Sequence, residues 1–158
     1  MPIKTNVSGF KNTAVGWASL YNNYEGYGND AFGYKALYAN TYGDYNSSFG
    51  LQSLMANTTG NYNTAAGVSA LYSNTTGTGN TAVGHYTLGP SSSSSYSTAI
   101  GYYAIGNSGN FGYATGLGAY AYPSASYQMR IGGTMITSIR GQVGWTSTSD
   151  ARVKENIK

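Results

Sequence analysis

The chain of 158 residues could bury one core, yet only 8% of it is charged, it has no cysteine, and glycine (23) and tyrosine (17) dominate it. The net charge of +3 comes from lysines and arginines that lie mostly near the two ends, so we expect no nucleic-acid partner. The absence of cysteine excludes disulfides and thiol chemistry.

Residues 1–11 precede the first full repeat and match part of one. Ile3, Asn6 and Gly9 are in register with the residues 17 positions later, so we predict an N-terminal cap or partial coil. The segment lacks the apolar run of a secretory signal, and no stretch resembles a membrane span. We expect no membrane insertion, and an extracellular role would require release by lysis or a non-classical route.

A 17-residue repeat fills residues 12–130 in seven copies, which start at residues 12, 29, 46, 63, 80, 97 and 114. Position 3 of the repeat is small, and positions 4 and 9 are apolar. Position 5 is glycine in every copy: Gly16, Gly33, Gly50, Gly67, Gly84, Gly101 and Gly118. Such a strict period is typical of a solenoid in which each repeat forms one coil. A disordered, prion-like segment could share the composition but would have no reason to keep this register.

Each repeat opens with an alternating run that predicts a strand and closes on an Asn/Gly cluster that predicts a turn. Frequent glycine and the lack of a 3.6-residue apolar period exclude helices. The fold class is therefore all-β, a parallel β-solenoid. The glycine at position 5 either takes a positive φ at a bend or allows close backbone approach. Asparagines at equivalent positions can form hydrogen-bonded ladders along the stack.

Positions 3 and 4 of the strand point to opposite faces, and neither carries a charge in any copy. One thin coil cannot bury both faces by itself. We therefore expect several chains to pack side by side around the apolar rows.

Tyrosine recurs near the end of the repeat, at Tyr45, Tyr62, Tyr96 and Tyr113. These rings could line the outside of the stack and bind glycans, because aromatic faces and hydroxyls suit sugar rings. They could equally pack against one another or between chains, and we favour mutual packing.

No residue pattern predicts a metal site, a cofactor or catalysis on an outside substrate. His85 is a lone histidine at a variable position, which indicates a surface or packing role. Gly28–Asp30 is a faint calcium-like Gly-Asn-Asp sequence, but the other copies have serine or threonine in place of Asp30, and one carboxylate cannot supply the ligands of Ca²⁺. The five carboxylates do not recur in phase, which argues against a glycosidase pair.

After the repeats, short alternating runs broken by glycines predict a small β-rich cap over residues 131–148. Residues 149–158 are charged, and Val153 and Ile157 are spaced to share one helix face, so we predict the start of a helix.

The motif Asn-Thr-Ala-Val-Gly at Asn80–Gly84 and Asn12–Gly16 resembles the repeat of trimeric autotransporter adhesin heads. The resemblance covers about 120 residues. It implies a left-handed parallel β-roll or β-helix that assembles as a homotrimer.

The C-terminal segment from Gly132 to Ile157 resembles the junction before the intramolecular chaperone of endosialidases, phage tail spikes and tail fibres. In that family a Ser-Asp-x-Arg-x-Lys motif begins a trimerisation chaperone that releases itself by autoproteolysis. The resemblance would make Ser149 the nucleophile and Lys154 its basic partner in a longer form of the protein.

Together these features predict a structural and adhesive part of a virion, a tail fibre or tail spike, with no enzymatic activity beyond that junction. The expected partners are two further copies of the chain, other tail proteins, and a glycan or protein receptor on the host surface. The alternative is a bacterial surface adhesin or extracellular filament protein built from the same coils.

Overall fold

A computed structural model describes residues 6–106 and 109–134. This part of the chain contains no helix, and its eight three-residue strands form one parallel sheet in the order β1 to β8. The strands are β1 (Thr13–Val15), β2 (Asp30–Phe32), β3 (Ser47–Phe49), β4 (Thr64–Ala66), β5 (Thr81–Val83), β6 (Thr98–Ile100), β7 (Thr115–Leu117) and β8 (Met129–Ile131). The prediction of an all-β parallel solenoid, with about seven turns, is confirmed.

Successive strands pair one full coil apart. Thr13 pairs with Asp30, 17 residues further on, and the same step holds up to β7. Thr115 then pairs with Met129, which is 14 residues further on, so the last coil is shorter. The predicted boundary between residues 130 and 131 falls inside β8. At about 4.8 Å per step, the seven steps give a rod roughly 34 Å long.

The interior of each coil is filled by the side chains of positions 3, 8 and 9. The position-9 column is fully buried in six coils: Leu20, Leu37, Leu54, Leu71, Leu88 and Ile105. Small residues, mostly alanine, fill positions 3 and 8 beside it. Position 4, on the opposite side of the strand, points outward and stays exposed in the single chain. A core only two or three side chains wide therefore runs the length of the rod.

The bends of each coil are made by residues with left-handed backbone, at positions 5, 7, 9 and 17. Coil 3 shows the pattern, with φ of 137° at Gly50, 57° at Gln52, 49° at Leu54 and 57° at Tyr62. Only position 5 is glycine throughout. Apart from Gly28 and Gly79 at position 17, the remaining corners hold residues that rarely take this conformation, at a cost on the order of 1 kcal/mol each. Packing between coils has to offset that cost.

Both reasons for glycine at position 5, a positive φ and close backbone approach, apply in the structure. Its φ angles run from 100° at Gly118 to 141° at Gly67. A Cβ added at Gly67 would also lie 2.7 Å from the carbonyl carbon of Gly84 in the next coil. Glycine is therefore needed here for its conformation and for the close approach of adjacent backbones.

Two ladders of buried asparagine amides connect the coils, as predicted. In coil 3 the Nδ2 atoms of Asn46 and Asn57 both donate to the carbonyl oxygen of Gly60, at 2.8 and 3.0 Å. The same two amides are bonded to their neighbours along the rod: Asn63 Nδ2 donates to Asn46 Oδ1 at 3.0 Å, and Asn57 Nδ2 to Asn40 Oδ1 at 2.8 Å. The ladders consist of Asn12, Asn29, Asn46, Asn63 and Asn80, and of Asn6, Asn23, Asn40, Asn57 and Asn74. Each amide thus closes its own coil and joins it to the next.

Two further ladders lie near the surface. At position 13, the Thr58 hydroxyl donates to the carbonyl of Thr75 one coil on, at 2.9 Å. At position 16, the side chains of coils 2 to 5 accept from a backbone N–H of the coil before. Asp44 N–H donates to Asn61 Oδ1 at 2.7 Å, and Thr78 N–H to Ser95 Oγ at 3.0 Å.

The ends of the chain are described in part. At the N-terminal end, Asn6 continues one asparagine ladder, because its Oδ1 accepts from Asn23 Nδ2 at 3.1 Å. At the C-terminal end, the described residues stop at Thr134. Most of the predicted β-rich cap over 131–148 and all of the predicted helix start over 149–158 lie outside the described residues.

Candidate functional site: an apolar face and a tyrosine column

An exposed apolar face runs along the rod on either side of the glycine column. It consists of the outward side chains at positions 4 and 6. The position-4 row is Val15, Phe32, Phe49, Ala66, Val83, Ile100 and Leu117, and the position-6 row is Trp17, Tyr34, Leu51, Val68, His85, Tyr102 and Ala119. The large members are between 36% exposed at Phe32 and 57% at Trp17. These fractions leave roughly 900 Å² of the face accessible, if a large side chain offers about 150–250 Å².

The accessible area of the face can be compared with the apolar patches of monomeric proteins and with protein interfaces. The largest apolar patch on a monomeric soluble protein is about 300–600 Å², whereas one partner in a stable interface buries about 800 Å². The rings of the face stack along the rod, as Phe32 and Phe49 do at 5.1 Å and Trp17 and Tyr34 at 5.0 Å. The face is therefore regular and as large as a protein interface.

A column of tyrosines, mainly at position 17, runs along a corner of the rod and includes all four candidate glycan-binding residues. The rings of Tyr45 and Tyr62 stack at 5.3 Å, and those of Tyr96 and Tyr113 at 5.0 Å. All four rings are about half exposed. The rings thus pack against one another along the rod and still present edges and hydroxyls to solvent.

The column also contains Phe10, Tyr27 and Tyr127. Phe10 stacks on Tyr27 at 5.1 Å, and Tyr27 meets Tyr45 edge-on at 4.8 Å. Tyr127 stacks on Tyr113 at 4.9 Å because the shortened last coil brings it into register. A strict 17-residue count misses Tyr127, so pairing had to be known before this residue could be assigned.

The column is interrupted once within its length. Position 17 of coil 4 is Gly79, and no ring contact joins Tyr62 to Tyr96 across it. A Cβ added at Gly79 would lie 2.9 Å from Cδ1 of Tyr96, so the upper ring covers this glycine directly. The column consists of a lower block ending at Tyr62 and an upper block beginning at Tyr96.

Proximity of the rings changes their acidity. A hydrogen bond with Tyr45, with smaller contributions from burial and from neighbouring negative groups, raises the pKa of Tyr27 to about 12. Burial, followed by the nearby tyrosines, raises the pKa of Tyr120 and of Tyr122. These hydroxyls therefore stay protonated to higher pH in the folded protein.

A second aromatic cluster occupies positions 6 and 7 of coils 5 to 7. His85 stacks on Tyr102 at 5.3 Å, and Tyr86 lies against Tyr103 at 4.9 Å. Tyr120 extends the cluster, with its ring 5.5 Å from that of Tyr102. The sequence indicated a surface or packing role for His85, and the ring lies at the surface, stacked on a neighbour.

The remaining candidate residues lie outside the described part of the chain. Ser149 and Lys154, the proposed autocleavage pair, are both among residues 135–158. Within residues 6–106 and 109–134, no group of three or more histidine, cysteine or acidic residues is placed to hold a metal ion. The same residues include no apolar helix of membrane-spanning length.

No protein-family model matches the chain, and no curated protein or solved structure shows significant similarity to it.

Proposed function

We propose that the protein is a structural and adhesive component of a phage tail fibre or tail spike, in which three copies form a rod for attachment to the host surface. The observation that carries the proposal is the apolar face. Its rows repeat at the coil spacing, so a second copy of the same rod matches them at every step. A left-handed trimer in which these faces meet around one axis would cover all three.

The stability of the rod supports a mechanical role. Every coil is joined to the next by strand pairing, and coils 1 to 4 are also joined by two columns of asparagine amides. Strand pairing that repeats at each step resists bending and shear along the described rod. The tyrosine column would stay outside such a trimer, because positions 17 and 4 lie at opposite ends of an extended segment about 13 Å long.

The assembly is tested by sedimentation of the protein at micromolar concentration. We expect a trimer, and we expect Phe49→Glu to weaken assembly at least tenfold because it places three like charges in the buried face. Thr59→Glu is the control, since Thr59 is exposed and lies outside the apolar face. A folded, monomeric wild-type protein would overturn the proposed assembly.

The alternative is a bacterial surface adhesin or extracellular filament protein with the same trimeric rod. The uncharged surface of the central coils suits either setting. The genes beside the coding sequence distinguish the two: tail-assembly genes favour the virion, and surface-export genes favour the adhesin.

A further inference from the structure

Two charged residues flank the apolar face, one on each edge. The chain bends at the glycine of position 5, so the position-4 and position-6 rows form the two sides of a corner. Position 2 borders the first side and position 7 borders the second. Position 2 is threonine or serine in every coil except coil 2, where it is Asp30. Position 7 carries no charge in any coil except the same coil 2, where it is Lys35.

Aromatic rings hold the Lys35 ammonium group at its edge of the face. Its Nζ lies 5.8 Å from the ring centroid of Trp17 and 5.6 Å from that of Tyr34, and both rings belong to the face. The centroid of Tyr38, outside the face, is 5.3 Å away. Lys35 forms no ion pair within the described part of the chain. These cation–π contacts fix a long side chain in advance, which favours binding of a carboxylate from another molecule.

The Asp30 side chain lies on the outward side of the opposite edge. In β2 the middle residue, Ala31, is buried, and the last residue, Phe32, is exposed as part of the face. Residues two apart in a strand share one side, so the Asp30 side chain points outward as Phe32 does. Asp30 likewise forms no ion pair within residues 6–106 and 109–134. Each edge of the face therefore has one charge that the described chain leaves unpaired.

A three-fold axis would bring opposite edges of the face together. With the glycine corners of three parallel chains at the axis, the position-4 side of each chain packs against the position-6 side of the next. The position-2 edge then faces the neighbouring chain's position-7 edge along the rod. In register, Asp30 of one chain faces Lys35 of the next at all three interfaces. A slip of one coil, about 4.8 Å, would place a threonine or serine opposite Lys35 instead.

We propose that Asp30 and Lys35 of adjacent chains form an ion pair that selects the register of the trimer. The proposal rests on the proposed trimeric assembly and assigns the residues that align it. One surface ion pair contributes little to stability, but complementary charges at an interface discriminate against wrong registers. The later coils carry no such pair, because the sequence contains no lysine, arginine, aspartate or glutamate between Asp44 and Arg130.

Charge reversal with a matched control tests the pair by sedimentation. Asp30→Lys places two lysines opposite each other at every interface, and we expect it to weaken assembly at least tenfold. Glu25→Lys is the control, because it makes the same change of charge on an exposed residue at position 14, outside the face. It should assemble within twofold of wild type. Asp30→Lys combined with Lys35→Glu reverses the pair and should restore assembly to within threefold, which excludes a folding defect as the cause.

Co-expression of two differently tagged chains tests whether the pair forms between chains. Wild-type and doubly reversed chains present like charges to each other, so every mixed trimer has like charges at two of its three interfaces. We expect native mass spectrometry to find mixed trimers at least fivefold below the level given by two tagged wild-type chains. Wild type co-expressed with Glu25→Lys should mix freely.

Three results would overturn the ion pair: equal assembly of wild type and Asp30→Lys, no recovery in the double variant, or free mixing of wild-type and doubly reversed chains. In each of these cases a trimeric wild type would leave the proposed assembly standing. A monomeric wild type would remove the proposed assembly and the ion pair together.

Discussion

Single residues in this rod are constrained by the coils above and below them. Gly67 is the clearest case, since it has a φ of 141° and lies against the backbone of Gly84. A side chain there would have to displace a backbone carbonyl and adopt a strained conformation. Because backbone is less able to move than the end of a side chain, a substitution in the glycine column should distort the whole coil.

We predict that Gly67→Val lowers the free energy of unfolding by on the order of 3 kcal/mol per chain, from strain and displaced backbone. The control is Ala66→Val at the neighbouring position 4, where Val15 and Val83 occur naturally. Thermal unfolding of the two variants measures the difference. An unchanged melting temperature for Gly67→Val would show that the position merely tolerates glycine.

The asparagine ladder at position 12 ends because two residues change together. Ser91 replaces asparagine at position 12 and Ser94 replaces glycine at position 15. In a regular coil, a Cβ at Gly60 would clash with the Asn57 amide oxygen, so asparagine at position 12 requires glycine at position 15. The break leaves Asn74 Oδ1 and Ser94 Oγ buried without a hydrogen-bond partner.

Restoring asparagine at position 12 together with glycine at position 15 should therefore stabilise the protein more than the sum of the two single changes. We predict that Ser91→Asn alone destabilises, because its amide meets the Ser94 Cβ, and that Ser91→Asn with Ser94→Gly is more stable than wild type by on the order of 1 kcal/mol. The double variant gives Asn74 Oδ1 a donor. Denaturant unfolding of the two single variants and the double variant measures the coupling. If the two substitutions change the free energy of unfolding additively, the side chains at positions 12 and 15 do not compete for the same space.

At the scale of the element, the coil is held by its corners and the columns that cover them. The tyrosines of position 17 have left-handed backbone and stack on the next coil, so each ring covers a strained corner.

The raised pKa of Tyr27 makes the stability of the fold depend on pH. The pKa of its hydroxyl is raised to about 12 in the folded protein, whereas the ordinary tyrosine pKa of 10.0 applies in the unfolded chain.

The folded state binds the proton more tightly, so this stabilisation is complete below about pH 10 and is lost as the pH rises to about 12. We predict a falling melting temperature across that window, and a smaller fall for Tyr27→Phe, which has no proton to lose. Both proteins should be equally insensitive to pH between 6 and 9. Parallel curves for wild type and variant above pH 10 would mean that the Tyr27 hydroxyl does not contribute.

At the scale of the molecule, the proposed trimer requires three chains to meet in the same register. Identical coils make slipped registers nearly as favourable as the correct one, which is a kinetic problem for assembly. A C-terminal device that aligns the chains before the coils form would solve it. The resemblance of the segment around Ser149 to the chaperone junction of tail spikes fits this need.

We predict that a gene continuing beyond Lys158 into a helical chaperone yields a product that cleaves itself next to Ser149 after the trimer has formed. Removal of the chaperone would then make the assembled rod kinetically stable. Ser149→Ala should give one uncleaved band in denaturing electrophoresis where the full-length wild type gives two. The same single band from both would leave Ser149 without a proteolytic role.

The sequence by itself determined the solenoid, its coil length and its chemical character. The 17-residue period, the glycine column and the apolar position 9 are each visible without structure, because every coil repeats the same local requirement. Low charge and abundant asparagine likewise predict a stack held by uncharged ladders rather than by ion pairs. These features depend on residue type and spacing alone.

Only the tertiary structure decided where the chain turns and what remains exposed. Nothing in Leu54 or Gln52 favours left-handed backbone, and their φ angles follow from closing the coil onto its neighbours. The shortened last coil, which stacks Tyr127 on Tyr113, depends on pairing with β7. Exposure of position 4 and the contact of the Tyr96 ring with Gly79 are also properties of the stack. They arise because a residue's neighbours here lie one coil away, 17 residues along the chain, where local preference has no influence.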